Sequence, residues 1–414
     1  LDAGDSLTVE VNGATYSVTP DSDGNWSLDL GTEIPESGIL GAFPDGAYDV
    51  VATVTDAAGN TTDDVTSGES TIDTGAPTAA SANPVVTNST TPVISGTAAL
   101  GDGETLSVTV SDATYTVVPD SDGNWTVDLA TAVPSDGALT PLTEGTYDVV
   151  TTVTDAAGNT TTDSTPDELI IDTTAPAAAP TVDTTASNSA TPTITGSATL
   201  ADGETLSVTV GDATYQVVPN GDGRWSLDLV AATPDSGTFA PLTEGTYDVV
   251  ATVSDEAGNT TVDSTSNEIT IDTTAPPLPT IDAPIAGDGF VNPDEQAAVA
   301  LSGTAEPNST IDVTLTDDAG NQIEAQAVAN GDGIWTIAGS EIDLSGFDDG
   351  AIAVTATATD TVGNVSPTAS ASVTKDTTVS VIPSVDSFSE DSGAIGDGIT
   401  NDNQPTFNGS AEAN

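Results

Sequence analysis

Short stretches in which apolar and polar residues alternate recur along the whole chain. Residues 106–110 read Leu-Ser-Val-Thr-Val, and residues 115–118 follow the same alternation in part. A period of two predicts β-strands with one buried face, whereas no segment has the period of an amphipathic helix. Turn residues separate about seven such strands per domain length, which is typical of a β-sandwich. The pattern therefore predicts an all-β fold.

The whole pattern of strands and turns then repeats. Asp56, Asp155, Asp255 and Asp360 each begin a segment Asp-x-x-Gly-Asn, and their spacings are 99, 100 and 105 residues. A period of about one domain length indicates a tandem array. Short joints that contain Pro, such as Thr173 to Pro176, are too stiff to act as flexible tethers. We therefore expect a linear rod of four β-sandwich modules, repeats 1 to 4, at residues 1–75, 76–175, 176–275 and 276–376.

The two ends of the sequence are out of phase with these modules. Residues 1–7 align with residues 100–106, so repeat 1 is expected to lack its first two strands. Residues 377–414 are expected to supply the first strands of a following module, because 405–410 resembles 192–196 apart from one extra residue. Two interpretations stay open. The chain is a window cut from a longer series, or residues 377–414 complete the open module of a neighbouring chain by strand addition.

Aromatic residues recur at fixed places in the repeats. A single Trp per repeat is predicted to anchor the sandwich core, and a Tyr in the setting Gly-x-Tyr-Asp-Val is predicted to form a corner near the penultimate strand. These residues are Trp26, Trp125, Trp225 and Trp335, and Tyr48, Tyr147 and Tyr247. Repeat 4 has Ala-Ile-Ala-Val at 351–354 instead, so its corner should differ.

The charge of the chain limits its partners. It has 65 acidic residues against two basic ones, no His and a net charge of −63. Such a chain repels nucleic acid and anionic membrane surfaces, so neither is expected as a partner. Its carboxylates suit a divalent cation with hard oxygen ligands, and Ca²⁺ is the first choice. With no Cys and no His, catalytic triads, Cys-His dyads and the usual zinc sites are not available, and we do not expect an enzyme.

The acidic turns are expected to meet at one end of each sandwich. Alternate loops lie at alternate ends, which places the turns 100–105, 120–124 and 155–159 together with the joint at Asp73. Converging carboxylates repel one another unless a cation lies between them. The alternative is that these segments only form turns and bind no metal, and for 120–124 we favour this alternative. The predicted metal ligands are Asp56, Asn60, Asp73, Asp102, Glu104, Asp155, Asn159, Asp172, Asp202, Glu204, Asp255, Asn259, Asp272, Asp360, Asn364 and Asp376.

The recurring segments Ser/Thr-Asp-Ala-Ala-Gly-Asn-Thr, Ile-Asp-Thr-Thr-Ala-Pro and Asp-Gly-Asn-Trp resemble the bacterial Ig-like repeats of giant RTX-type adhesins secreted by type I systems. The resemblance covers the whole chain. It implies Ig-like modules in the extender region of a cell-surface adhesin, outside the cell, with joints made rigid by Ca²⁺. Repeat 4 departs from the pattern at Asn308 and Val362, which puts its joint site in doubt.

Two roles remain open on the sequence. In the first, the array is a spacer that projects a terminal adhesive domain for surface attachment or biofilm formation, and the repeats are one another's partners. Four sandwiches would extend on the order of 160–180 Å. In the second, the chain is a subunit of an extracellular filament and exchanges strands with identical chains. The unmatched ends of the sequence favour the second role, and the low aromatic content speaks against a ligand-binding module.

Overall fold

The protein was analysed as a computed structural model that describes residues 1–64, 66–163, 165–378, 380–388, 398–401 and 403–411. Within these residues the chain is built of β-strands, and its helical segments are two short 3-10 turns at Ile285–Gly287 and Gly339–Glu341. The described residues include no helix of the length and apolarity needed to cross a bilayer. The all-β prediction is confirmed.

The chain forms two compact units. The first comprises Leu1–Ala178, Leu200–Thr205 and Val253–Thr261, and the second comprises Ala179–Thr199, Leu206–Thr252 and Val262–Asn414.

In repeat 1 the strands are β1 Ser6–Val11, β2 Ala14–Val18, β3 Ser37–Gly38, β4 Gly46–Tyr48, β5 Val50–Thr55, β6 Thr61–Asp63 and β7 Ser70–Ile72. In repeat 2 they are β8 Ser81–Ala82, β9 Val85–Thr87, β10 Val93–Thr97, β11 Thr105–Val110, β12 Ala113–Val117, β13 Asn124–Asp128, β14 Asp136–Gly137, β15 Gly145–Tyr147, β16 Val149–Thr154, β17 Thr160–Thr162 and β18 Leu169–Ile171.

Repeat 2 shows the sandwich in full. One layer has the order β14-β12-β11-β16-β17, and the other layer consists of the sheets β13-β10-β8 and β15-β18-β9, in which β9 and β18 are parallel. The alternating residues of β11 point Leu106 and Val108 into a common core with Ile94 and Leu169 of the second layer. Burial of such side chains stabilises the packing of the two layers by about 25 cal/mol for each Å² of apolar surface that is removed from water.

The remaining strands are spread over repeats 3 and 4 and the last segment. In repeat 3 they are β19 Thr181–Val182, β20 Thr185–Ser187, β21 Thr193–Ser197, β22 Thr205–Val210, β23 Ala213–Val217, β24 Arg224–Asp228, β25 Ser236–Gly237, β26 Gly245–Tyr247, β27 Val249–Ser254, β28 Thr260–Val262 and β29 Ile269–Ile271. In repeat 4 they are β30 Phe290–Val291, β31 Leu301–Thr304, β32 Thr310–Thr316, β33 Gln322–Val328, β34 Ile334–Ile337, β35 Gly350–Thr359 and β36 Ala369–Lys375. The last segment has β37 Ser384–Phe388 and β38 Phe407–Ser410, while its residues 379, 389–397, 402 and 412–414 lie outside the described residues.

The expectation of seven strands per repeat is wrong for repeat 2, which has eleven short ones. The predicted strand 145–154 is divided at Asp148, and β15 and β16 belong to different sheets. At the break, the backbone N–H of Val149 donates to a carboxylate oxygen of Glu168 (3.1 Å), and Asp148 accepts the N–H of Asp167 (2.9 Å). Because side chains take over these backbone hydrogen bonds, the chain can change layers here.

Repeat 4 differs at this place, as the sequence predicts. Its strand β35 runs without a break through ten residues, and its sheet has the order β30-β36-β35-β32-β33. Ser372 pairs with Ala353 in the register that places Glu168 opposite Asp148, so the two acidic residues that divide the strand in repeat 2 are absent. Apolar residues, Ile352 and Ala353, take the places of Tyr147 and Asp148, so the backbone hydrogen bonds between β35 and β36 continue without a break.

The predicted corner tyrosines are confirmed. The hydroxyl of Tyr147 donates to the carbonyl oxygen of Thr143 (2.9 Å), four residues upstream, and Tyr247 donates to Thr243 in the same way (3.0 Å). In repeat 1 the hydroxyl of Tyr48 donates to the carbonyl oxygen of Pro44. This hydrogen bond fixes the loop before the penultimate strand, which is the role of a tyrosine corner in Ig-type sandwiches.

Three of the four predicted tryptophan anchors are buried. Trp125, Trp225 and Trp335 are exposed by only 1%, 2% and 0%. Each lies over a glycine of the neighbouring strand. A Cβ on Gly96, for example, would come within 2.5 Å of the Trp125 ring, so only glycine leaves room for the indole.

The prediction is wrong for Trp26, which is 40% exposed. Residues 25–29 are not a strand, although the matching residues Asn124–Asp128 form β13. The reason is the missing partner. In repeat 2, β13 pairs with β10, whereas among the described residues no strand pairs with residues 25–29.

Candidate metal sites at the joints between repeats

Each predicted Asp-x-x-Gly-Asn segment forms a loop closed by its own side chains. In repeat 2, one carboxylate oxygen of Asp155 accepts the N–H groups of Ala157 (2.9 Å) and Asn159 (2.8 Å). The other oxygen accepts the side-chain amide of Asn159 (2.8 Å), and Gly158 has a φ of 94°, in the left-handed region. The same backbone and side-chain bonds from the Asn to the Asp occur at Asp56–Asn60, Asp255–Asn259 and Asp360–Asn364.

A fifth loop of this type shows what the sequence segment does by itself. Asp317 to Asn321 of repeat 4 connects β32 and β33, and Asp317 accepts the backbone N–H and the side-chain amide of Asn321, both at 2.8 Å. Asp317 also accepts the N–H of Asp348 in its own repeat (3.1 Å), whereas the amide of Asn364 reaches the joint that precedes repeat 4. The internal hydrogen bonds are therefore a property of the turn and do not by themselves indicate a cation.

At the joints, these loops make an additional contact that the fifth loop lacks. The side-chain amide of Asn159 donates to the backbone carbonyl of Asp73 (3.0 Å), Asn259 donates to that of Asp172 (2.8 Å), and Asn364 donates to that of Asp272 (2.8 Å). The first two contacts lie within the first compact unit and the third within the second unit. One amide group thus closes its own loop and holds the preceding joint.

Two further hydrogen bonds secure the joint between repeats 2 and 3. The hydroxyl of Thr261 donates to the carbonyl of Pro176 (2.6 Å), and the N–H of Asn88 donates to the carbonyl of Ala257 (3.0 Å). At the preceding joint, the hydroxyl of Thr161 donates to the carbonyl of Pro77 (2.6 Å). Direct hydrogen bonds between protein groups therefore help to restrain these joints.

The predicted first-turn ligands lie beside the Asp-x-x-Gly-Asn loops. A Cβ on Gly103 would come within 3.4 Å of Ala156. Asp102 and Asp202 are exposed, whereas Glu104 and Glu204 each accept a backbone N–H of their own turn at 2.8 Å, from Gly101 and Ala201. The turn 120–124 also lies at this end, since the N–H of Ala98 donates to the carbonyl of Gly123 (2.8 Å), and Asp120 accepts two backbone N–H groups of its own turn.

The joint aspartates have neighbours that the sequence analysis missed. Asp73, Asp172, Asp272 and Asp376 each accept the N–H two residues ahead, at 2.9–3.0 Å. Next to them stand Asp45, Glu144, Glu244 and Asp349, which accept hydrogen bonds from the threonines that follow the aspartates. A signal was present in the sequence, because an acidic residue immediately precedes a glycine at the same place in all four repeats.

These neighbours place two carboxylates at a joint. Glu244 accepts the N–H and the hydroxyl of Thr273, and Asp272 accepts the N–H of Thr274, so both carboxylates lie at the same joint. At the first joint, Asp45 and Asp73 each have a carboxylate oxygen near Gly75, at 3.9 Å and 3.3 Å from the position that a Cβ there would take. Carboxylates, hydroxyls and backbone carbonyls are the hard oxygen ligands that suit Ca²⁺. In the described part of the chain, however, three or more acidic side chains never gather closely enough to hold an ion by themselves.

Hydrogen bonds at these sites favour the ionised carboxylates. The Thr174 hydroxyl is the main group that lowers the pKa of Glu144 from its ordinary value of 4.5, and the Asn159 side-chain amide is the main group that lowers the pKa of Asp155 from 3.8. A carboxyl group whose pKa is lower in the folded than in the unfolded protein stabilises the fold at pH values above the unfolded pKa. This stabilisation is lost as the pH falls through the folded-state pKa.

We therefore expect the contribution of Glu144 to the free energy of unfolding to be constant at neutral pH and to be lost as the pH falls from the unfolded pKa of 4.5 through the lowered folded-state pKa. Acid also relieves the general repulsion among carboxylates, so the comparison must be made against a Glu144→Gln variant, which keeps an acceptor oxygen but does not titrate. The measurement is the difference in unfolding midpoint between the two proteins from pH 7 to pH 2.5. A difference that does not change with pH would contradict the assignment.

The repeats match a family model described as bacterial Ig-like domain at residues 2–74, 70–173, 179–273 and 290–377. Among solved structures, a tetra-tandem repeat in the extending region of a large adhesion protein is 24% identical, with coverage of 91% of this chain and 92% of that chain and a TM-score of 0.34. A Ca²⁺-stabilised adhesin that helps an Antarctic bacterium reach out and bind ice is 30% identical, with 90% of both chains covered and a TM-score of 0.35.

A third similar structure comes from a 1.5-MDa bacterial ice-binding adhesin, in work on its retention at the host cell surface. It is 22% identical, with coverage of 73% of this chain and 100% of that chain and a TM-score of 0.30. No curated protein sequence matches the chain. The family model accounts for most of the sequence, in four successive matches that follow the tandem repeats. The chain therefore belongs to the bacterial Ig-like domain family.

Proposed function

We propose that this chain is part of the extender region of a bacterial cell-surface adhesin. In this role, the repeats act outside the cell as spacers that carry a terminal adhesive domain away from the surface. The observation that carries the proposal is the repeated joint, where an Asn side chain of one repeat donates to the Asp carbonyl that ends the preceding one. The same kind of restraint at successive joints suits a spacer. The extending-region structure noted above supports the same role for this chain.

Calcium is the second part of the proposal. The carboxylate pairs Asp45 with Asp73 and Glu244 with Asp272 would bind Ca²⁺ together with carbonyl and hydroxyl oxygens or water, since Ca²⁺ takes six to eight oxygen ligands. The ion would relieve the repulsion within each pair and stabilise the folded joint by mass action. The Ca²⁺-stabilised adhesin among the similar structures supports this part. The predicted ligands Asp73, Asp172 and Asp272 keep this role, and we add their acidic neighbours.

The direct hydrogen bonds at the joints determine how the calcium proposal should be tested. Because protein groups bond to each other directly at the joints, chelation alone does not separate their effect on stiffness from that of Ca²⁺. The Asp172→Asn variant is sharper. It removes one joint carboxylate, keeps a side-chain oxygen for the N–H of Thr174, and leaves the backbone carbonyl that accepts the amide of Asn259.

We expect Ca²⁺ to raise the unfolding temperature of the parent chain and to narrow the distance distribution from small-angle X-ray scattering. Isothermal titration should show weaker or fewer Ca²⁺ sites in Asp172→Asn than in the parent. Asp128→Asn is the matched control, because Asp128 is an exposed acidic residue of β13 and does not belong to a joint pair. Equal Ca²⁺ binding by all three proteins would contradict the assignment of a Ca²⁺ site to the joint. A chain that is bent and flexible both with and without Ca²⁺ would instead contradict the proposed role as a spacer.

A further inference from the structure

The end of repeat 4 carries a positive charge where the other repeats have an apolar side chain. In repeats 1 to 3 the residue before the joint Asp is an isoleucine, and it pairs with the glycine that follows the acidic neighbour. These isoleucines are Ile72, Ile171 and Ile271. Lys375 takes this place in repeat 4, because it pairs with Gly350 in the same register and precedes Asp376. It is the only lysine of the chain.

Lys375 is buried, and its ammonium group is held close to the joint. Only 4% of the residue is exposed, and the ammonium group donates to the backbone carbonyl of Phe347 (2.6 Å). Burial of an ammonium group is costly unless polar or charged groups compensate it. Phe347 lies two residues before Asp349, the acidic neighbour at this joint, which accepts the hydroxyl of Thr377 (2.9 Å). The buried charge therefore lies beside the carboxylates that end repeat 4.

Two carboxylates are affected by this charge. The Thr377 hydroxyl is the main group that lowers the pKa of Asp349 from 3.8, and the positive charge of Lys375 lowers it further. The pKa of Asp343 is lowered mainly by the side chain of Ser345 and also by Lys375. A nearby opposite charge favours the ionised carboxylate, which is also what a bound cation would do.

The joints before it have no such group at the same position. The other basic residue of the chain, Arg224, forms an ion pair with Asp183, which is not one of the joint carboxylates. At the joint between repeats 3 and 4, the carboxylates of Glu244 and Asp272 have Ile271 where Lys375 stands in repeat 4.

We infer that the ammonium group of Lys375 takes the place of Ca²⁺ at the end of repeat 4, so that this joint binds Ca²⁺ more weakly than the joints before it. The inference rests on the calcium part of the proposed function. A divalent ion about 6 Å from a unit positive charge binds about tenfold more weakly even at the dielectric constant of water. The chain's own charge then stabilises this joint when calcium is scarce.

Hydrogen exchange measured by mass spectrometry tests the joints of the full chain separately. Ca²⁺ bound at a joint stabilises the folded state and slows the exchange of the amides around it. The parent chain is compared in a chelator and in millimolar Ca²⁺. We expect Ca²⁺ to slow exchange in residues 243–275 and to leave residues 348–378 almost unchanged.

Two reciprocal variants test the role of the charge. Lys375→Ile introduces the residue that ends repeats 1 to 3, and Ca²⁺ should then slow exchange in residues 348–378, at a concentration about tenfold below any effect in the parent. Ile271→Lys is the reverse exchange and should weaken the effect of Ca²⁺ on residues 243–275. If Lys375→Ile unfolds repeat 4, the parent chain and Ile271→Lys decide the question.

Arg224→Asn is the matched control for the net charge. It removes the other positive charge of the chain and introduces the residue that repeat 2 has at this place, since Arg224 pairs with Ser197 as Asn124 pairs with Thr97. We expect it to leave the response of both segments to Ca²⁺ as in the parent.

Three results would overturn the inference. If Ca²⁺ protects both segments of the parent equally, or if residues 348–378 of a folded Lys375→Ile chain still do not respond, Lys375 does not replace the ion, and the proposed function is unaffected. If neither segment of the parent responds, the calcium part of the proposed function is contradicted and this inference with it.

Discussion

Replacement of Gly196 by alanine is expected to destabilise repeat 3 by about 3 kcal/mol, the upper part of the usual range for overpacking a core. The added Cβ would lie 2.0 Å from the carbonyl oxygen of Thr181 and 2.4 Å from the Trp225 ring. Neither a strand backbone nor a buried indole can move aside easily, so the whole three-strand element must shift.

The control for this prediction is in the same repeat. A Cβ on Gly221 would meet nothing within 4 Å, and no left-handed φ restricts that position. Urea denaturation of both variants should therefore show a clear loss of stability for Gly196→Ala and almost none for Gly221→Ala. If the two variants unfold alike, the glycine does not provide space for the indole.

The second large effect is expected for the tryptophans. Trp125→Ala should cost about 3–5 kcal/mol, as is usual for truncation of a fully buried aromatic side chain. Trp26→Ala should cost much less in the monomeric chain, because Trp26 is 40% exposed and Trp125 is 1% exposed. The two residues have nearly the same sequence setting, so each variant serves as the control for the other.

Differential scanning calorimetry of the full chain at low protein concentration measures both effects. Trp125→Ala should move the transition of one repeat to a lower temperature, while Trp26→Ala should leave the profile close to that of the parent. A large destabilisation by Trp26→Ala in the monomer would show that repeat 1 buries its Trp in solution.

The all-β class, the fourfold repeat and the tyrosine corner could all be predicted from the sequence. All three follow from short-range signals, because a period of two, turn residues and the setting Gly-x-Tyr-Asp-Val act over a few residues. The loop from Asp155 to Asn159 is equally local. Its hydrogen bonds recur at Asp317 to Asn321, away from the joints, which shows that five residues suffice to form them.

Which of these local segments pair with another segment can be seen only in the folded chain. Asn159 and Asp73 are 86 residues apart, and their contact depends on how one repeat follows another. Residues 25–29 and Asn124–Asp128 have almost the same sequence, yet only the latter form a strand, because β10 lies beside them. A strand needs hydrogen-bond partners from another segment, and the presence of that segment is not encoded in the strand itself. For the same reason, the pairing of acidic residues such as Glu244 and Asp272 at the joints became apparent only in the folded chain.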